Sequence, residues 1–135
     1  MQARTLTATM AVILSLAPAS GQDAGFAKPN PVIRQIVEGM PKGDKQEISV
    51  LTATFKPGDK TVFHTHRFPV TVYVLEGTFT LELDGRPPLF AKAGESIVEP
   101  PNVKMTGYNR STSDFTKVVI FYVGDPGTPF LDLHH

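Results

Sequence analysis

Among the residues of this 135-residue chain, His64 and His66 are the pair best placed to do chemistry. They lie in Thr61-Val62-Phe63-His64-Thr65-His66, a run whose β-branched and aromatic residues read as a strand. Side chains two apart on a strand share a face, with Cα atoms about 6–7 Å apart. Two imidazoles so placed can converge on one ion of Cu, Zn, Fe or Mn, all of which accept histidine nitrogen. Alone, His-x-His is more often a pair of polar residues at a strand end. Its weight therefore rests on what surrounds it.

Other chemistries have little support. Cysteine is absent, which excludes disulfides, thiolate metal sites and cysteine nucleophiles. There is no G-x-S-x-G, no P-loop and no G-x-G-x-x-G, and no two carboxylates are marked out as an acid/base couple. Thirteen basic and thirteen acidic residues give zero formal charge, so no long-range field favours nucleic acid.

The elements that must position the histidines are short and β-rich. Val32–Val37, Glu47–Phe55, Thr61–His66, Val70–Glu76, Thr78–Asp84, Leu89–Ala91, Ser96–Glu99, Val103–Tyr108 and Thr116–Val123 read as strands between turn signals. In Thr78–Asp84, Phe79, Leu81 and Leu83 alternate with polar residues, the period of a half-buried strand. Asp84-Gly85 marks a hairpin. No segment beyond the first two dozen residues keeps a helical apolar period free of Gly and Pro. The expectation is one all-β sandwich or barrel.

Two spacings sharpen this. Gly58-(x5)-His64-x-His66-(x10)-Gly77 resembles the first motif of the cupin family, and Gly94-(x5)-Pro100-(x8)-Asn109 resembles the second. The resemblance implies a single jelly-roll β-barrel, a double-stranded β-helix, with a site in its interior. Metal-binding cupins draw two histidines and a glutamate from the first motif and a histidine from the second. Here the histidines fall on His64 and His66, the glutamate position on Val70, the second-motif histidine on Met105 and the central glycine on Asn102. Two imidazoles with the Met105 thioether would suit copper, although methionine is also a flexible core filler. Tyr73, Glu99, Lys104, Tyr108 and Asn109 are further polar candidates nearby. Glu99 reads either as an inward base or as an ordinary strand-end charge, and Tyr73 has the parity of a residue facing away from the interior.

The chain start has the order of a secretory signal: Arg4, an uncharged apolar run over Leu6–Leu16, then Ala17-Pro18-Ala19. That run is too short to span a bilayer, which needs about 20 residues. The expected organisation is a signal peptide over 1–21, a leader over 22–31 and a cupin domain over 32–135. The functional expectation is an exported (periplasmic or secreted) protein without a membrane span, holding a small molecule and one divalent metal ion through His64 and His66. Val70, Val72, Val74 and Asn109 are expected in its pocket, with Phe63 or Phe121 beside them. The alternatives are a dioxygenase- or isomerase-like metalloenzyme with an atypical ligand set, and a copper-binding protein using Met105. The resemblance also implies a homodimer, with Pro126–Leu133 either as its contact or folded on its own domain.

Overall fold

The strict alternation of Val70, Val72 and Val74 with Thr71 and Tyr73 sets the inside and outside of the molecule: the valines are buried and their neighbours half-exposed. A computed structural model describes Gly21 and residues 25–135. Apart from Gly21 the expected signal peptide, and with it the start of the leader, lies outside the described residues. Nine strands occur in chain order: β1 (Glu47–Phe55), β2 (His64–Thr65), β3 (Val70–Glu76), β4 (Thr78–Leu83), β5 (Leu89–Lys92), β6 (Ser96–Glu99), β7 (Met105–Tyr108), β8 (Thr116–Gly124) and β9 (Asp132–Leu133). Among the described residues there is no helix.

The strands form two antiparallel sheets, ordered β1-β8-β3-β6 and β5-β4-β7-β2-β9. Every connection except the β4–β5 hairpin crosses from one sheet to the other, so the inner faces of both are built from the whole length of the domain. No ladder joins the two sheets among the described residues. The expected barrel is thus a pair of facing sheets held by the side chains between them. Phe55, Phe79, Leu81, Val70, Val72, Val74 and Val118 fill that space. At the β3–β4 crossover, Gly77 has φ 76°, and a Cβ there would collide with the Phe115 carbonyl. Only glycine fits both constraints.

Three sequence expectations change. Val32–Val37 forms no strand. It runs as irregular chain beside the outer face of the first sheet, near Val98, Phe121 and Val123. β-branched residues favour a pleated, half-buried surface, and this segment has no sheet partner to supply one. Thr61–His66 shortens to His64–Thr65, because Lys60 and Thr61 engage Tyr108 and Gly107 by isolated bonds rather than a continuous ladder. Phe63 and Phe121, expected inside, are both exposed. Phe121 stands across the ladder from Thr71 and Val50, on the outer face.

Asn109 is 2% exposed but does not line the interior cavity. Its side-chain amide donates to the carbonyls of Phe55 (3.2 Å), Lys56 (3.1 Å) and Asp114 (2.7 Å), and its Oδ1 accepts from the Ser111 amide (3.1 Å). It ties the end of β1 to the loop before β8, and those carbonyls leave no donor for a ligand. Replacing it strands buried carbonyls, at about 1–3 kcal/mol. Asn109→Ala should therefore lower the urea-unfolding free energy by about 2 kcal/mol while leaving the metal content of the purified protein unchanged; a variant of unaltered stability would contradict this role.

Candidate metal centre

His64 and His66 flank Thr65 on and just beyond β2, and both rings turn into the space between the sheets. They are 4% and 1% exposed. Each ring is fixed through Nδ1. That of His64 lies 2.7 Å from the Val62 carbonyl, and that of His66 lies 2.6 Å from the Phe130 carbonyl. A carbonyl only accepts, so both Nδ1 atoms carry the hydrogen, and in the neutral rings both Nε2 atoms keep a free lone pair. A backbone carbonyl on the far nitrogen is a frequent way of orienting a metal-binding histidine.

Those two Nε2 atoms lie 3.1 Å apart, and the His66 Nε2 lies 3.0 Å from Glu99 Oε2. The carboxylate is 5% exposed. Donor atoms of all three residues fall within 4.8 Å of one another. Three acceptors therefore face each other in a buried space, and among the described residues no other N–H or O–H donates to them. Such a cluster can hold a metal ion at its centre. Two imidazole nitrogens and a carboxylate oxygen are a set that Zn, Fe and Mn accept. With bonds of about 2.1 Å, right-angled ligands stand about 3.0 Å apart and tetrahedral ones about 3.4 Å, so both separations are compatible with ligands of one ion and equally with hydrogen bonds.

The route by which Glu99 arrives explains why the sequence hid it. In the family pattern the carboxylate falls on Val70. In the β3–β6 ladder, Val70 is directly opposite Glu99, and cross-strand partners project from the same face. The carboxylate thus reaches the same part of the interior from the neighbouring strand. The signal available was its parity with Ile97: in Ser96–Glu99, residues 97 and 99 are buried and 96 and 98 are half-exposed. Asn102, at the family's glycine position, has φ 58° and donates its backbone N–H to the His66 carbonyl (2.7 Å). The turn after β6 is thereby anchored to the histidine segment.

Met105 is the cross-strand partner of His64 and is 1% exposed. It packs in the hydrophobic core and is not among the residues lining the cavity at the cluster. That cavity has a volume of about 140 Å³. Its wall includes Phe55, Val72, Phe79, Val118, Ile120 and Phe130. Of the three valines expected there, Val72 lines it; Val70 and Val74 are fully buried elsewhere in the core. At Gly107, on the wall, a Cβ would come within 2.6 Å of the Phe79 ring, so the close approach of β7 requires glycine.

The segment from Phe130 to His134 completes the site. It folds onto its own domain: β9 pairs with β2, placing Leu133 opposite His64 and Asp132 opposite Thr65. Arg67 grips Asp132 through two hydrogen bonds (2.9 and 3.0 Å), which hold the Asp132 carboxyl below the usual carboxylate range. Thr65 Oγ1 and His134 Nε2 lie 3.0 Å apart. The Phe130 ring packs on His66 (4.7 Å between centroids) and on Tyr122 (5.5 Å). Burial raises the Tyr122 hydroxyl pKa.

Residues 51–121 match the cupin domain family model, and the chain belongs to the cupin family. Solved structures agree on the fold. A cupin-like protein from Thermotoga maritima superposes with a TM-score of 0.55 at 20% identity, covering 64% of each chain. An RmlC-like cupin from Shewanella frigidimarina gives 0.51 at 23%, over 60% of this chain and 69% of that one. A variant of B. subtilis oxalate decarboxylase gives 0.54 at 14%, over 66% of this chain and 24% of that one. No curated protein sequence matches.

Burial, chiefly, lowers the His64 pKa, with the Val62 carbonyl opposing and His66 adding to the fall. Below the ordinary histidine value of about 6.5, the unfolded chain therefore binds a proton that the folded chain resists. The unfolded state holds more protons there, so stability rises with pH through that window and is lost as pH falls. Chelator-treated protein should show a falling urea midpoint from pH 7.5 to 5, and His64→Gln should flatten the slope. An equally steep slope in the variant would remove His64 as its source.

Proposed function

We propose that this cupin binds one divalent transition-metal ion through His64 Nε2, His66 Nε2 and the Glu99 carboxylate, and presents it to a small molecule in the adjoining cavity. The observation that carries this reading is the convergence of two imidazole nitrogens and a carboxylate oxygen within 4.8 Å of one another in a buried space. A carboxylate with two imidazoles favours Fe, Mn or Zn over the Cu(I) that a thioether would select. Three protein ligands also leave coordination positions for a ligand, as catalytic metal sites do.

A bound dication in this setting supplies Lewis acidity toward an oxygen of the ligand. The chain's own residues do the rest. The Val62 and Phe130 carbonyls hold both rings in the tautomer that offers Nε2, and the wall around the ligand space is mostly apolar. The oxalate decarboxylase neighbour is an enzyme by name, which supports enzyme chemistry on this fold as a class without specifying a substrate for this chain. A dioxygenase- or isomerase-like metalloenzyme therefore ranks above a purely apolar binder.

Export remains part of the proposal, supported by the Arg4, Leu6–Leu16 and Ala17-Pro18-Ala19 pattern. A homodimer is supported by the exposed apolar row of Ile48, Val50 and Phe121 rather than by the Pro126–Leu133 segment, which lies on its own domain.

Loading purified, chelator-treated protein with Zn, Mn, Fe or Cu and measuring bound metal and Tm tests the centre. One ion should bind per chain. At a hundredfold excess over Kd it should add about 2.7 kcal/mol, on the order of 10 °C in Tm. Glu99→Ala and His66→Ala should each abolish both effects. Uptake that persists in both variants would sink the proposal.

A further inference from the structure

We infer that the ligand of this centre is a small monoanion with an apolar body, such as a short-chain monocarboxylate or an enolate of similar size, and that dianions are excluded. The inference deepens the metal-centre reading and rests on it. It derives from the groups the cavity wall lacks. Among the described residues, the wall carries one polar side chain besides His64, His66 and Glu99, namely Thr61. Its hydroxyl donates to the Val62 carbonyl (3.0 Å) and accepts from the Gly107 amide (2.9 Å), so it has no proton left for a ligand. The hydrogens on both histidine Nδ1 atoms are committed to carbonyls. Among the described residues no lysine or arginine lines the space.

A dication and the Glu99 carboxylate sum to one positive charge. A single anionic head neutralises it. A second carboxylate or a phosphate would leave a negative charge against Phe55, Phe79, Val118 and Ile120, without counter-charge or side-chain donor. Size gives the second limit. A cavity of about 140 Å³ is close to the roughly 150 Å³ that accommodates benzene, which corresponds to about six non-hydrogen atoms. Butyrate has that size. Sugars, nucleotides and long acyl chains do not fit.

The test uses the full mature protein loaded with Co²⁺, whose visible absorption reports on its coordination. Metal uptake is measured first: failure to bind Co²⁺ through His64, His66 and Glu99 removes the centre itself, whatever the class of its ligand. Titration of the loaded protein with acetate, propionate, butyrate, hexanoate and succinate then reads the ligand class. Affinity should rise about fourfold per methylene as far as butyrate and fall at hexanoate. Succinate should bind weaker than butyrate by on the order of a hundredfold or more.

Phe130→Ala separates charge from size, because it keeps the backbone carbonyl on His66 while enlarging the cavity. In this variant hexanoate should become the better ligand, while succinate, with the same number of non-hydrogen atoms, stays excluded. Calorimetry on metal-free protein should show no monocarboxylate binding. Succinate matching butyrate in the wild type, or matching hexanoate in the enlarged variant, would overturn the inference. So would carboxylate binding without metal.

Discussion

The arrangement depends on one electrostatic constraint: three polar groups with lone pairs held face to face in a buried space between the sheets. Imidazole nitrogens 3.1 Å apart with a carboxylate oxygen at 3.0 Å repel one another unless positive charge lies among them. In water that repulsion would be screened; between two packed sheets it is not. The surrounding structure holds the atoms together despite it. Val62 and Phe130 fix the rings, the β3–β6 ladder fixes Glu99, and Asn102 ties the turn after β6 to His66. Each support comes from a different part of the chain, which is possible because nearly every connection crosses between the sheets.

The site also shows how a carboxylate on a neighbouring strand can reach the same interior position. The family pattern places a carboxylate on the strand now occupied by Val70, yet its cross-strand partner Glu99 reaches the same interior. Cross-strand neighbours have Cβ atoms about 4.5–5.5 Å apart, a distance that a glutamate side chain spans. Val70 is fully buried in the core, while the acidic group comes from Glu99 on the adjacent strand. Met105 beside His64 shows the same register logic, with the thioether placed in the core.

Much of this was legible in the sequence. The spacing of Gly58, His64, His66 and Gly77 indicated the fold family and the paired imidazoles, and the alternation around Val72 gave the interior face. Glu99 was read as either an inward base or a strand-end charge because its meaning lies in register, and only the pairing with Val70 brings it to the histidines. Asn109 misled as a pocket residue, since a sequence does not reveal which carbonyls an amide will satisfy. Val32–Val37 had strand composition without an edge to join. The Phe130–His134 segment carried no motif, and its importance rests on a backbone carbonyl, which any residue type could provide.

That carbonyl has a consequence for the order in which the molecule is made. His66 is oriented by Phe130, 64 residues further along the chain. While a ribosome is still adding the residues between them, the strands carrying His64, His66 and Glu99 can already pair, but the His66 ring has no acceptor to set its tautomer. The orientation of the His66 ring is therefore among the last features of the domain to be fixed, since it waits on the synthesis of Phe130 and the β9 segment beyond it.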